Sequence, residues 1–160
     1  ASQIPLQRNT TKNRHWFPFL GVSLPEGDVS KGGYKWIEGV TLDLVAVNSK
    51  HFIMANKVRY PDLISFVNTN APTPGANLPG FRLEESEVYL NHVHTEPRTL
   101  LMGVKYVDAK SGLTYMQTHA GWIKPVGKGW VVYLMPGHTK HDFENAAYGR
   151  IVVNAVIFRP

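Results

Sequence analysis

The sequence predicts a single, strand-rich α/β domain closed by a C-terminal helix, and three observations carry that reading. Trp130-Val131-Val132-Tyr133-Leu134-Met135 is a run of six apolar or aromatic residues between Gly129 and Pro136-Gly137. Such a run suits a strand covered on both faces, as in a parallel sheet beneath helices. Tyr148, Ile151, Val152 and Ala155 recur at i, i+3, i+4 and i+7, the stripe of a helix with one buried face. The 160 residues, 43% hydrophobic and 18% charged, are enough for one core and too few for two.

Taken in order, residues 1–31 read as an irregular N-terminal arm, because Pro5, Pro18, Pro25, Gly21 and Gly27 are spaced too closely for long elements. Within the arm, His15-Trp16-Phe17-Pro18-Phe19-Leu20 is an aromatic knot that calls for burial on the domain or on a neighbour. Residues 32–160 form the domain proper. Val40–Val47 alternates as a strand with one drier face. Asn68, Asn70, Pro72, Pro74, Gly75, Pro79 and Gly80 mark a loop over 68–80. Thr99–Val107 and Leu113–Thr118 are hairpin partners across Asp108-Ala109-Lys110-Ser111-Gly112. The chain then enters the dry strand, turns at Pro136-Gly137, and reaches its helix from about Asp142, with Thr139 and Asn145 as candidate caps. Ile151–Phe158 also fits a buried strand by periodicity alone.

The formal charge of +5 is scattered rather than gathered on one stripe, which argues against a nucleic-acid partner. No apolar run approaches the ~18 residues a membrane helix needs. Cysteine is absent, so thiol nucleophiles, disulfides and sulfur-ligated metals are excluded. A polar start at Ala1-Ser2-Gln3 leans toward a trimmed, periplasmic or secreted protein. Serine-hydrolase elbows, phosphate loops and dinucleotide fingerprints are missing from the sequence, so no cofactor is assigned.

The stretch Trp122–His138 has the order Trp, Lys124, Gly127-Lys128-Gly129, apolar strand, Gly137-His138. It continues as Asp142-Phe143-Glu144-Asn145, Arg150 and Asn154-Ala155, and is preceded by Leu78-Pro79-Gly80-Phe81 and Glu87-Val88-Tyr89. Over residues 78–158 the chain resembles the trehalose-utilisation (ThuA-like) domain family. Trp130 stands where that family usually carries Arg, and the family's first half has no counterpart here. The resemblance implies part of a glutamine-amidotransferase-like (flavodoxin-like) sheet and a role in carbohydrate utilisation or binding, with the reaction unstated. A sheet missing half its fold leaves apolar surface exposed. That points to a second polypeptide covering it, and to a non-catalytic subunit of an exported or membrane-attached assembly as the rival reading.

His138, at the carboxyl end of the dry strand, is the first candidate for catalysis, since open α/β sheets gather ligands there and imidazole exchanges protons near neutral pH. Glu87 is its candidate orienting carboxylate, and Tyr89 lies two residues on, along the same strand face. His119 and Trp122 are candidates for holding a sugar, an aromatic face suiting its C–H patches. A third reading is a metal-binding, all-β cupin-like barrel. His92 and His94 point the same way on a strand, His138 and His141 lie three apart, and these four imidazoles, with Glu96, form a candidate ligand set.

Overall fold

The computed structural model describes residues 16–68 and 75–159. The chain begins with α1 (Trp16–Leu20) and β1 (Val22–Ser23), followed by a 3-10 turn at Val29–Lys31. Next come β2 (Lys35–Ala46), α2 (Phe52–Ala55), β3 (Asp62–Phe66), β4 (Ala76–Leu90) and β5 (Val93–His94). The remainder is β6 (Thr99–Val107), β7 (Thr114–Val126), β8 (Gly129–Leu134), α3 (Lys140–Glu144) and α4 (Ala146–Ile157).

Six strands form one sheet in the order β3-β4-β2-β6-β7-β8, with every neighbouring pair antiparallel. This corrects the α/β, flavodoxin-like expectation, which needs parallel strands. The strand-rich antiparallel sheet agrees with the all-β alternative instead, although among the described strands β3 and β8 are its two open ends and α4 packs against it. The run Trp130–Leu134 misled because it is dry for a different reason. β8 is the last strand of the sheet, and its residues are only partly buried. Val132 and Leu134 face α4 across Val152, Ala155 and Val156, while Tyr133 stacks on Trp122 at 5.1 Å on the opposite face. Both faces are apolar without a parallel neighbour.

The core lies between the sheet and α4. Leu42 and Leu44 of β2 pair with Leu83 and Phe81 of β4, all buried with Tyr148 and Ile151 of α4. α4 begins where Asn145 accepts the Ala147 and Tyr148 backbone N–H groups, each at 3.1 Å, satisfying donors a helix start leaves free. Buried Asn154 ties the helix to α2 by donating to the Ile53 and Asn56 carbonyls. Ala76–Gly80, within the stretch read as loop, is strand and pairs with β3; residues 69–74 lie outside the described set. Of the aromatic knot, His15 also lies outside it. Trp16 and Phe19 stack on each other at 5.9 Å and remain 42% and 44% exposed, so these two rings are not buried on the domain.

One local feature positions the candidate site. Early in β4 the odd residues Phe81 and Leu83 are core and the even Arg82 and Glu84 exposed, whereas from Ser86 to Leu90 every residue is buried, with the even Val88 and Leu90 now in that core. The parity changes at Glu85, whose φ is +51°, opposite register shifts around Gly39 of β2, whose φ is +65°. A bulge inserts a residue and turns the following side chains over. Both strands therefore switch faces at the same level, and Trp36, Glu38, Glu87 and Tyr89 emerge together on the face away from Ile37 and Val88.

Candidate functional site

Glu38 and Glu87 are direct cross-strand partners, as are Trp36 and Tyr89. Glu87 is 2% exposed, and its Oε2 accepts a hydrogen bond from Trp36 Nε1 at 3.0 Å. The same oxygen lies 3.3 Å from His138 Nδ1, whose side chain keeps 27% of its accessible surface. One ligand atom from each of Glu38, Glu87 and His138 falls within 4.8 Å of the others. Like charges placed opposite each other across strands are unfavourable, and a nearly dry carboxylate is unfavourable without a positive partner.

His138 is held there by a residue that the sequence reading placed only at the start of the C-terminal helix. Asp142 is fully buried, and its Oδ2 accepts from Gly137 N, His138 N and Ser86 Oγ, each at 2.9 Å. Thr139 is the N-cap of α3 but makes no side-chain cap bond. Asp142 thus works backwards along the chain, pinning the Pro136-Gly137-His138 bend against β4. Tyr89 sits beside Glu87, and its phenol is pushed well above the usual range, first by burial, then by the Glu87 charge and their hydrogen bond. Tyr34 is raised for the first two of these reasons. Both phenols therefore stay protonated near neutrality; Tyr89 bonds to Glu87, whereas Tyr34 Oη is buried without a partner among the described residues.

The other sequence candidates lie in a neighbouring layer. His119 is 4% exposed, with Nε2 donating to the Tyr89 carbonyl at 2.8 Å. His92 stacks on it at 5.2 Å and on Tyr34 at 5.5 Å. His94 meets both His119 and Trp122 edge-on, at 6.3 and 6.0 Å. Burial pushes the pKa of all three imidazoles down, that of His94 to about 4 with help from the Arg98 charge. Trp122 is 1% exposed, stacked on Tyr133 and lying under the Arg98 guanidinium at 4.3 Å. It is a core side chain, without an open face for a sugar.

The four-imidazole metal set is not assembled. His92 and His94 belong to the stack, His138 to Glu87, and His141 is an exposed residue of α3 whose Nδ1 lies 2.8 Å from Glu144 Oε2. Glu96 pairs with Lys124 instead. Sequence reasoning missed Trp36, Glu38 and Asp142. The first two have only their i, i+2 spacing as a signal, and nothing in the sequence says that β4 is their neighbour.

Set against models of known protein families, curated proteins and solved structures, the chain matches none of them. The site therefore stands on its own geometry. Among the described residues no helix is long and apolar enough to cross a membrane.

Proposed function

We propose that the chain binds a divalent transition-metal ion through Glu38, Glu87 and His138, and that the open coordination positions receive a small hydroxylated molecule. The observation that carries the reading is the placement of a nearly dry carboxylate directly opposite a second carboxylate, with an imidazole nitrogen at the third corner. Mixed carboxylate–imidazole donors suit Mn²⁺, Fe²⁺ or Zn²⁺. The Trp36 indole N–H and the Asp142 clamp are the supporting groups such a site needs, since they fix a ligand carboxylate and a ligand-bearing loop. A bound ion of this kind polarises an oxygen or acidifies a bound water; Tyr89 and Tyr34 supply protonated donors beside it.

Isothermal titration of chelator-treated protein with Mn²⁺ and Zn²⁺ tests this. One equivalent is expected to bind, with Glu87→Gln and His138→Ala each weakening affinity at least ~10-fold, the usual scale for loss of a group at a metal site. Equal affinity in Glu87→Gln would sink the proposal.

A second reading, a carbohydrate ligand at the same place, is favoured by Trp36. Its N–H is committed to Glu87, but the indole remains 42% exposed beside the site, and an aromatic face of that kind suits sugar C–H groups. Thermal shift against a panel of disaccharides, with and without metal, decides it; no response in either condition removes the reading.

A further inference from the structure

We propose that the chain carries a second site, a buried donor cluster formed by His94, Arg98 and Trp122 that binds a small oxyanion, the carboxylate or phosphate group of an acidic molecule. It lies at the far end of the imidazole stack and does not depend on the metal reading.

Arg98 enters from the segment between β5 and β6. Its Nε donates to the Glu96 carbonyl at 3.3 Å and its Nη2 to the Gly21 carbonyl. The cradle is built for this. Gly21 has φ +62°, and a Cβ there would lie 2.9 Å from Arg98 Nη2 and 2.7 Å from Glu96 Oε2, so any other residue would strain the backbone and crowd the guanidinium. The pairing of Val22 with His94 holds the same strand edge in place.

With two of its nitrogens engaged, Arg98 keeps Nη1 buried and without a hydrogen-bond partner among the described residues. The same holds for Trp122 Nε1 and His94 Nε2. These atoms belong to side chains in mutual contact, the guanidinium lying over the indole and the imidazole against its edge. Native proteins leave few buried polar groups unpaired, and three on one contact set call for an explanation.

The chemistry of the guest follows from the chemistry of the three groups. A guanidinium and an indole offer N–H donors only, so the complement is rich in acceptors. A metal cation is excluded by the Arg98 charge. The nearby carboxylate, Glu96, pairs with Lys124 and acts on Arg98 through its charge, but it makes no hydrogen bond to Nη1, which keeps its donor free. Neutral His94 adds a third donor in the tautomer that carries its proton on Nε2. Acceptors and negative charge together describe an oxyanion, which guanidinium groups bind by charge-assisted hydrogen bonds.

The test uses chelator-treated full chain, so that anion binding to a metal plays no part. Thermal unfolding and calorimetric titration are followed against phosphate and against acetate, with chloride holding ionic strength constant. A saturable rise in Tm is expected with at least one of them, and which one responds identifies phosphate or carboxylate as the group taken. Arg98→Met is expected to weaken binding more than tenfold. Trp122→Phe, which keeps an aromatic ring and removes only the N–H side, is expected to weaken it severalfold, and Glu87→Gln to leave it unchanged. No response beyond that of chloride overturns the proposal, as does unchanged affinity in Trp122→Phe, which alone decides the matter should Arg98→Met fail to fold.

Discussion

The histidines of this molecule occupy two settings, His138 alone beside the Glu38–Glu87 pair and a layer of His92, His94 and His119, and their surroundings differ. At His138 the ring nitrogen faces a carboxylate, its backbone is clamped by Asp142, and part of the ring meets solvent. In the His92–His94–His119 layer the rings face one another, Tyr34, Tyr89 and Trp122, and the largest charge effect on His94 comes from the positive Arg98. In the first environment carboxylates converge on the ring; in the second aromatic rings do, with the Arg98 guanidinium at its far end. Residue type alone says nothing about which is which. A histidine acts as ligand or as core according to whether carboxylates or aromatic rings reach it first.

That contrast predicts opposite responses to truncation. His119→Ala removes a buried ring, its hydrogen bond to Tyr89 and its stack on His92, and is expected to cost about 2–4 kcal/mol of folding stability. His138→Ala removes a partly exposed ring and is expected to cost under ~1 kcal/mol, while losing the metal. Urea unfolding of chelator-treated protein measures the first pair of numbers. The comparison breaks if His138→Ala is the more destabilised of the two.

Acid separates the two settings again. The pKa values of His92, His94 and His119 are lowered in the folded chain relative to about 6.5 in the unfolded one. Above pH ~6.5 these rings are neutral in both states and their contribution is fully present. Below it the unfolded chain takes up protons that the folded chain refuses, until His94 titrates at about 4, so stability falls as pH drops through that window. The slope reaches at most about 1.4 kcal/mol per pH unit for each ring, and less for His94, whose partial exposure screens it. Urea unfolding at pH 7.5, 6 and 5 should show the decline, and His92→Phe should flatten it. A profile level from 7.5 to 5 would mean the stack is wetter than its burial implies.

How far the molecule can be read from its sequence follows the range of the interaction concerned. The β6–β7 hairpin is legible because Asp108 carries its own turn chemistry, its side chain accepting the Lys110 N–H two residues on. The start of α4 is legible because Asn145 bonds to its own neighbours in sequence. Strand direction was not legible, since Trp130–Leu134 is apolar whether its cover is a parallel neighbour or, as found, α4 on one face and an aromatic layer on the other. The site falls between these cases. His138 and Glu87 could be singled out from their strand positions, and the structure brings them within 3.3 Å. Glu38 and Trp36 could not, because only the coupled bulges at Gly39 and Glu85 place them beside Glu87. Glu85 in the left-handed region carries no sequence signal at all.

The finest test of the contrast is a change of sign at Glu38. In metal-free protein this exposed carboxylate stands directly opposite buried Glu87, a like-charge cross-strand pair worth roughly 0.2–1 kcal/mol of destabilisation. Glu38→Gln should relieve it and raise stability by that amount. With saturating Mn²⁺ or Zn²⁺ the same substitution removes a metal ligand, so the variant gains less from the ion and should become the less stable of the two. A carboxylate that merely decorates the surface would shift stability in one direction under both conditions, or not at all. Only a group whose repulsion is relieved by a bound cation reverses its sign when the cation is added.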